Sequence, residues 1–367
     1  MLAVVTRDDL RDIDPYYSVA CRDQAILAVD GARFARDAVA AVVAEDERTA
    51  VETLGVHASR CRIARGWAVW RRSEGGRMLR PFEIHQPESV QAASGLVARH
   101  GEEAVFYAGG TEVLLVMKEG LVRYRHLVDV KTIPGLSGIA YDAATQTLQI
   151  GCTATHCALE EHPAVCGHFP LVAQVETQVA NTRVRNVGTI GGNLCFAEPH
   201  ADPGTLFLAY DAEIELASVT ETRTIAAEQF FTGAFETARR YDEVLTQIRL
   251  KRWGPHTRGA YMKFGFHERP TLGVAVALTL DAAHQSVQES RIAVGCVGPK
   301  PFRARAAETA LRGVSLTDAE RKIDEAAGLA SADAEAISDL HGSAEYKQEM
   351  VKVFVRRALR AAVARFQ

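Results

Sequence analysis

Apolar residues recur along the chain with two different spacings, and the spacings predict a mixture of helices and strands. A period near 3.6 predicts helices over residues 89–99, 113–118, 171–180, 206–210, 304–312, 317–329 and from about residue 343 onwards. Alternating or continuous apolar runs predict strands over residues 104–107, 126–130, 147–151, 212–216, 244–250, 259–264, 272–280 and 290–297. The two element types mix without a regular βαβ rhythm, so the pattern predicts an α+β fold.

The same pattern divides the chain into three blocks. Residues 1–80 form an extension with a basic second half, residues 81–255 form the first regular block, and residues 256–367 form the last one. An amphipathic helix is predicted over residues 46–54 of the extension. The basic stretch is interpreted as a solvated linker or a surface for an acidic partner, rather than as a nucleic-acid arm.

Composition excludes several classes of protein. The 367 residues are 47% hydrophobic and 24% charged, which is typical of a globular protein, and the net charge of −4 offers no electrostatic case for nucleic acid. The longest apolar stretches are too short to cross a bilayer, so we expect no membrane span. The first twelve residues lack the apolar core of a secretory signal, so we expect a cytoplasmic protein.

The seven cysteines are scattered and form no C-x-x-C pair, which argues against a disulfide framework. Cys152, His156 and Cys157 could be taken as a metal cluster. Their spacing fits no common site, however, and buried thiols near a strand end are the simpler interpretation. We therefore expect no metal site in this chain and no iron–sulfur cluster of its own.

Two glycine pairs carry the strongest chemical signal. Gly109 and Gly110 follow the predicted strand 104–107, and Thr111 comes next. Gly191 and Gly192 lie in a second predicted turn. Glycine lets successive backbone N–H groups point into one concavity, where they can hold a phosphate. Two such turns could grip the two halves of a pyrophosphate, which predicts a dinucleotide such as FAD.

Known dinucleotide motifs do not account for these turns. The chain has neither a G-x-G-x-x-G fingerprint at a strand–helix junction nor a Walker A lysine. In the first turn, Thr111 would add a hydroxyl donor at the start of a helix. In the second turn, Ile190 stands between polar residues, and we expect its side chain to lie against a flat ring. Taken singly, either turn could be an ordinary structural one.

Several ordered motifs resemble the FAD-binding medium subunits of molybdenum hydroxylases, the xanthine dehydrogenase and carbon monoxide dehydrogenase group. They are Ala108-Gly109-Gly110-Thr111-Glu112, Val128-Asp129, Thr189-Ile190-Gly191-Gly192-Asn193, Pro199-His200-Ala201-Asp202, Phe230-Phe231-Thr232-Gly233, Tyr261-Met262-Lys263, the run from Gly298 to Arg303, and Arg356-Arg357-Ala358-Leu359. The likeness runs from about residue 81 to the end. It implies a PCMH-type FAD-binding domain of two subdomains, followed by an α+β flavoprotein C-terminal domain.

The resemblance also implies roles for particular residues. The first turn would wrap the diphosphate and ribityl parts of FAD, the second would complete the clamp, Asp202 would accept hydrogen bonds from the cofactor, and Leu245 would pack on it. Lys263 matches the family's lysine near the flavin ring, where a cation stabilises the reduced flavin. The implied FAD-binding residues are Phe106, Tyr107, Ala108, Gly109, Gly110, Thr111, Glu112, Val113, Thr189, Ile190, Gly191, Gly192, Asn193, Asp202, Leu245 and Lys263. We expect no catalytic acid, base or nucleophile among them.

The implied activity is electron transfer within a heteromeric oxidoreductase. A small partner with 2Fe–2S clusters would pass electrons to FAD, a large partner would hold the molybdenum cofactor, and NAD or another carrier would be the acceptor. Residues 22–28 and 37–46 resemble a fragment of that large subunit. Two alternatives stay open: a stand-alone FAD oxidoreductase of the same fold, and a scaffold subunit that has lost FAD.

The chain departs from the family's pattern in two places. Glu198 and His200 flank Pro199 where the family commonly has small residues, and residues 266–270 differ from many members.

Overall fold

The structure, a computed structural model, describes residues 3–5, 41–43, 79–265 and 269–366. The chain divides into two compact units, Met1–Met78 and Leu79–Gln367. In the first unit, strands β1 (Ala3–Val5) and β2 (Ala41–Val43) pair antiparallel. Residues 46–54, for which a helix was predicted, lie outside the described residues. Residues 22–28, which resemble part of a large subunit, also lie outside them.

The second unit begins with a small parallel sheet of order β3-β5-β4. The Ser89 side chain caps the helix between the first two strands by accepting from the Ala92 amide. Helix and sheet bury Ala93, Val97 and Val128 between them. The elements, in chain order, are β3 (Glu83–His85), α1 (Val90–His100), β4 (Ala104–Tyr107), α2 (Val113–Lys118) and β5 (His126–Asp129).

A five-stranded antiparallel sheet of order β6-β7-β12-β8-β9 follows, with a group of short helices inserted between its strands. The strands are β6 (Ile139–Asp142), β7 (Thr147–Gly151), β8 (Glu213–Ala217), β9 (Thr222–Ala226), the small pair β10 (Phe231–Gly233) and β11 (Glu236–Thr237), and β12 (Val244–Lys251). The helices are α3 (His156–Glu161), α4 (Pro163–His168), α5 (Pro170–Glu176), α6 (Thr182–Val187), α7 (Ile190–Phe196), α8 (Asp202–Ala209) and α9 (Ala227–Phe230).

The last block is an antiparallel sheet of order β13-β14-β15-β16 covered by three helices. The continuous apolar run of β14 is buried almost throughout, as expected for a strand with both faces covered. The elements are β13 (Thr257–Phe264), β14 (Leu272–Leu280), β15 (Val287–Gly295), β16 (Phe302–Arg303), α10 (Arg305–Leu311), α11 (Leu316–Ala332) and α12 (Ala344–Ala364).

Two hydrophobic cores hold the second unit together. The larger one surrounds the five-stranded sheet and includes Phe169, Phe207 and Phe230. The smaller one lies between the last sheet and its helices, where α12 contributes Val351 and Leu359. The α+β fold predicted from the sequence is confirmed. No helix in the described part of the chain is both long and apolar enough to span a membrane.

Candidate functional site

The first glycine turn connects β4 to α2, as the sequence predicted. Gly110 has φ +75°, and a Cβ there would lie 2.6 Å from the Tyr107 ring, so glycine is required at this position. Within the described residues, the amides of Gly109, Gly110 and Thr111 donate to no protein acceptor. Three successive donors are therefore available to an anionic ligand.

The second glycine pair lies in a helix, so the prediction of a turn was wrong there. Gly191 and Gly192 belong to the first turn of α7, and Thr189 is its N-cap, with its hydroxyl 3.1 Å from the Gly192 amide. The Gly191 amide donates to the Cys152 carbonyl at 2.9 Å. These amides are thus engaged within the protein. A Cβ on Gly191 would lie 2.5 Å from that of Cys152, so glycine here permits close packing.

The two glycine segments nevertheless meet. A Cβ on Gly109 would lie 2.3 Å from the Val187 carbonyl oxygen and 2.7 Å from the Cα of Gly188. Both contacts are with backbone atoms, so the turn after β4 rests directly on the chain that leads into α7. The two segments are close enough to contact one ligand.

Both segments line one cavity of about 650 Å³. Most of the predicted cofactor residues are at its wall. They are Phe106, Ala108, Gly109, Gly110, Thr111, Glu112, Val113, Thr189, Gly191, Gly192, Asn193, Asp202 and Leu245. The structure thus brings together residues that lie as far apart in sequence as Phe106 and Leu245.

Three predicted residues do not line this cavity. Ile190 is completely buried in the larger core and is not part of the cavity wall. The Tyr107 ring packs under the Lys131 ammonium group, 4.0 Å from the ring centroid. Lys263 lies behind Asp202, where its ammonium group donates to the Asp202 carboxylate and to the Gln178 carbonyl, each at 2.7 Å.

Asp202, the first residue of α8, is a buried carboxylate at the cavity wall. Tyr261 donates to one of its oxygens at 2.7 Å and Lys263 to the other. Burial raises the pKa of Asp202, and the hydrogen bonds and charge of its partners oppose this rise only in part. Burial and the neighbouring Asp202 charge likewise raise the pKa of Tyr261. Each oxygen of Asp202 therefore already accepts one protein hydrogen bond.

A charged rim, which the sequence did not predict, closes one side of the cavity. Arg269 pairs with Glu112 at 3.0 Å and with Glu198. His200 lies 3.1 Å from Glu198 and 3.0 Å from Asp339 of the last block. Burial alone would raise the pKa of Glu198, but the hydrogen bond with His200 and the charge of Arg269 lower it overall. Glu198 and His200 from the first departure and Arg269 from the second thus belong to one chain of polar contacts, and the complementary charges of Glu198 and Arg269 were the available signal.

A second group of charged residues lies near the start of β12. Arg223 forms a bidentate ion pair with the buried Glu243, with N–O distances of 2.7 and 2.8 Å, and the Arg240 amide donates to the same carboxylate. Burial would raise the pKa of Glu243, but these hydrogen bonds outweigh it and leave the pKa below its ordinary value. Glu243 lines the cavity next to Leu245, so this pair fixes the wall on that side.

The lining fits a long ligand with an anionic middle and flat ends, as FAD has. The amides of Gly109 and Gly110 and the amide and hydroxyl of Thr111 belong to residues that line the cavity, and they are donors of the kind that a diphosphate requires. Phe106 and Leu245 offer apolar surface for rings. Arg239 lies over the Phe106 ring, 5.6 Å from its centroid, and adds a positive charge to this wall.

Comparison with known proteins agrees with this fit. Residues 80–253 match the family described as the FAD binding domain in molybdopterin dehydrogenase, and residues 267–362 match the CO dehydrogenase flavoprotein C-terminal domain. The carbon monoxide dehydrogenase medium chain of Hydrogenophaga pseudoflava is 33% identical over 77% of this chain and 98% of its own length. The nicotine 6-hydroxylase medium subunit of Paenarthrobacter nicotinovorans is 31% identical over 76% of this chain and 96% of its own.

Solved structures show the same relation. A chain of carbon monoxide dehydrogenase from Hydrogenophaga pseudoflava superposes with a TM-score of 0.75 and 35% identity, covering 78% of this chain and 99% of that one. Quinoline 2-oxidoreductase from Pseudomonas putida 86 gives a TM-score of 0.72 at 26% identity, covering 78% of this chain and 98% of that one. The chain therefore belongs to the family of FAD-binding subunits of molybdenum hydroxylases, and it is an oxidoreductase flavoprotein subunit whose cofactor is FAD.

Proposed function

We propose that this chain is the electron-transfer subunit of a molybdenum hydroxylase complex. It would receive electrons from the 2Fe–2S clusters of a small partner and pass them through FAD to NAD or another acceptor, while a large partner oxidises the organic substrate at molybdenum. The observation that carries the proposal is the direct contact of Gly109 with Val187 and Gly188, which brings both glycine segments to one cavity. The description of two relatives as medium chains of larger enzymes supports the partner set.

Different residues of the cavity would bind different parts of FAD. The amides of Gly109, Gly110 and Thr111 would bind the diphosphate, because they are the donors that the protein itself leaves available. Gly192 and Asn193 would contact the ligand from the opposite side. Phe106 and Leu245 would pack on rings. When bound, FAD supplies a centre that accepts electrons singly and releases them in pairs.

Two of the residues that the resemblance implied as FAD-binding take different roles in this proposal. Lys263 would act through Asp202 rather than directly, because its ammonium group is held behind that carboxylate at 2.7 Å. Ile190 would anchor α7 in the core and so hold Gly191 and Gly192 at the wall. Both are thus positioning residues.

The proposed division of the chain follows from the same features. Residues 81–255 would form the FAD-binding domain, since the glycine segments, Asp202 and Leu245 all belong to it. Residues 256–367 would form the C-terminal flavoprotein domain, which contributes Arg269 to the cavity wall. Residues 1–80 would be an extension with a basic linker.

Three experiments separate this proposal from its alternatives. The flavin absorption of the purified full chain tests for a scaffold that has lost FAD, which would show none. Assay of the chain alone against organic substrates tests for a stand-alone oxidoreductase, which would turn them over. Rapid mixing with the reduced 2Fe–2S partner tests the relay itself: bleaching of the flavin absorption is expected, and an unchanged flavin would contradict electron transfer along this route.

A further inference from the structure

Three histidines lie close together at one end of the small parallel sheet, opposite to the end where the first glycine turn follows β4. We call His85, His100 and His126 the histidine cluster. One ring nitrogen of each lies within 4.8 Å of those of the other two. His85 Nε2 is 3.0 Å from His126 Nδ1, and the His100 and His126 ring centroids are 3.8 Å apart.

A carboxylate completes the group. Glu83 Oε2 lies 3.6 Å from His126 Nδ1 and 3.9 Å from His85 Nε2. Three imidazole nitrogens and one carboxylate oxygen are a donor set suited to Zn²⁺. Nitrogens about 2.0–2.1 Å from a tetrahedral ion stand about 3.4 Å from one another, and the separations here bracket that value. We propose that the histidine cluster and Glu83 bind one divalent transition-metal ion, with Zn²⁺ as the best match.

The fold places these ligands before any ion arrives. Glu83 and His85 are two residues apart on β3, so their side chains point to the same face of the sheet. Glu83 is the register partner of His126 on β5. His100 is the last residue of α1, the helix that packs on this sheet. Three elements therefore deliver the four ligands, and little ordering is needed on binding.

The histidine cluster is separate from the FAD cavity. His126 pairs with Ala104, the first residue of β4, whereas the glycine turn follows Tyr107 at the other end of that strand. Three residues of strand place the two sites about 10 Å apart along the sheet. Because Zn²⁺ has no redox chemistry, its role here would be structural: it would hold the three-residue edge strand β3 to β5 and α1.

The test uses the full chain with its FAD, stripped of metal with a chelator and dialysed. Zinc binding is measured by equilibrium dialysis with elemental analysis, in the wild type and in His100→Gln and His126→Gln. The wild type should bind one more tight Zn²⁺ per chain than either variant. The variant affinity should fall by more than about 100-fold, since loss of an outer partner alone costs up to that factor. FAD content shows whether each variant is folded.

His284→Gln is the matched control. His284 Nε2 lies 2.6 Å from His256 Nδ1, a histidine pair at which the described residues provide no third ligand. This variant should keep the tight zinc ion, and zinc should raise its melting temperature as in the wild type but not that of His100→Gln. X-ray absorption of the zinc form should show nitrogen and oxygen neighbours only.

Three results would overturn the proposal. They are equal zinc binding by the wild type and both cluster variants, a loss in His284→Gln as large as in His100→Gln, and a sulfur neighbour of the ion. The last would place the metal on cysteines instead. Since FAD retention is measured independently, failure of the metal site would leave the proposed electron-transfer role intact.

Discussion

Replacement of Gly109 by alanine tests the contact on which the FAD cavity depends. The new Cβ would lie 2.3 Å from the Val187 carbonyl oxygen and 2.7 Å from the Gly188 Cα. These are backbone atoms with no rotamer to change, so the overlap is relieved only by moving the two glycine segments apart. Overpacking of this kind costs about 1–3 kcal/mol.

That cost can be converted into an expected loss of affinity. If it falls on the arrangement that binds FAD, affinity drops by about 5- to 150-fold, because each 1.4 kcal/mol is a factor of about ten. The assay is titration of flavin-depleted protein with FAD, followed by flavin fluorescence, with circular dichroism as a check of folding.

Gly254→Ala is the control for this experiment. Gly254 lies in a connecting segment, and a Cβ there would meet nothing within 4 Å. It should bind FAD as the wild type does. A natively folded Gly109→Ala protein with wild-type affinity would refute the reasoning, as would an equal loss in the control.

Three further predictions concern the walls of the cavity. Gly192→Val should abolish FAD retention, because its Cβ would lie 2.8 Å from Thr189 Oγ1 and the side chain would enter the cavity; normal flavin absorption would contradict this. Asp202→Asn should lower the free energy of unfolding in urea by about 3–5 kcal/mol, since it leaves the buried charge of Lys263 unpaired; an unchanged midpoint would show that the pair is screened. The lowered pKa of Glu243 means that its contribution to stability is present above its unfolded value of 4.5 and is lost as the pH falls through the lower folded value. Glu243→Gln should therefore make stability less sensitive to acid between about pH 5 and pH 3, as measured by thermal unfolding, and an equal slope in the wild type and the variant would contradict the assignment.

The sequence predicted helices and strands best where the pattern of apolar and polar residues within a single element determines its structure. The β14 run was predicted over the residues that form the strand, because a nine-residue run whose one polar side chain is that of Thr279 favours a buried element. Helix α1 was predicted over residues 89–99 from the spacing of its apolar positions, and it forms over Val90–His100. In both cases the information lies within one helix turn or one strand.

The prediction failed where distant parts of the chain decide the local structure. Gly191 and Gly192 have low helix propensity, so the local sequence favoured a turn. They are nevertheless helical, because Thr189 caps them and Cys152 accepts the Gly191 amide hydrogen bond from another segment. The same packing buries Ile190. Helix propensity is a weak preference that such tertiary contacts readily override.

The sequence by itself determined the mixture of helices and strands of an α+β fold, the turn at Gly109 and Gly110, and the resemblance that led to FAD. Only the tertiary structure decided that the Lys263 charge is held by Asp202 and that Glu198 and Arg269 pair at the rim. It also decided that His85 and His126, 41 residues apart, come within 3.0 Å. The physical reason is that spacing along the chain specifies which face a side chain occupies, whereas its partner is chosen by how separate elements pack.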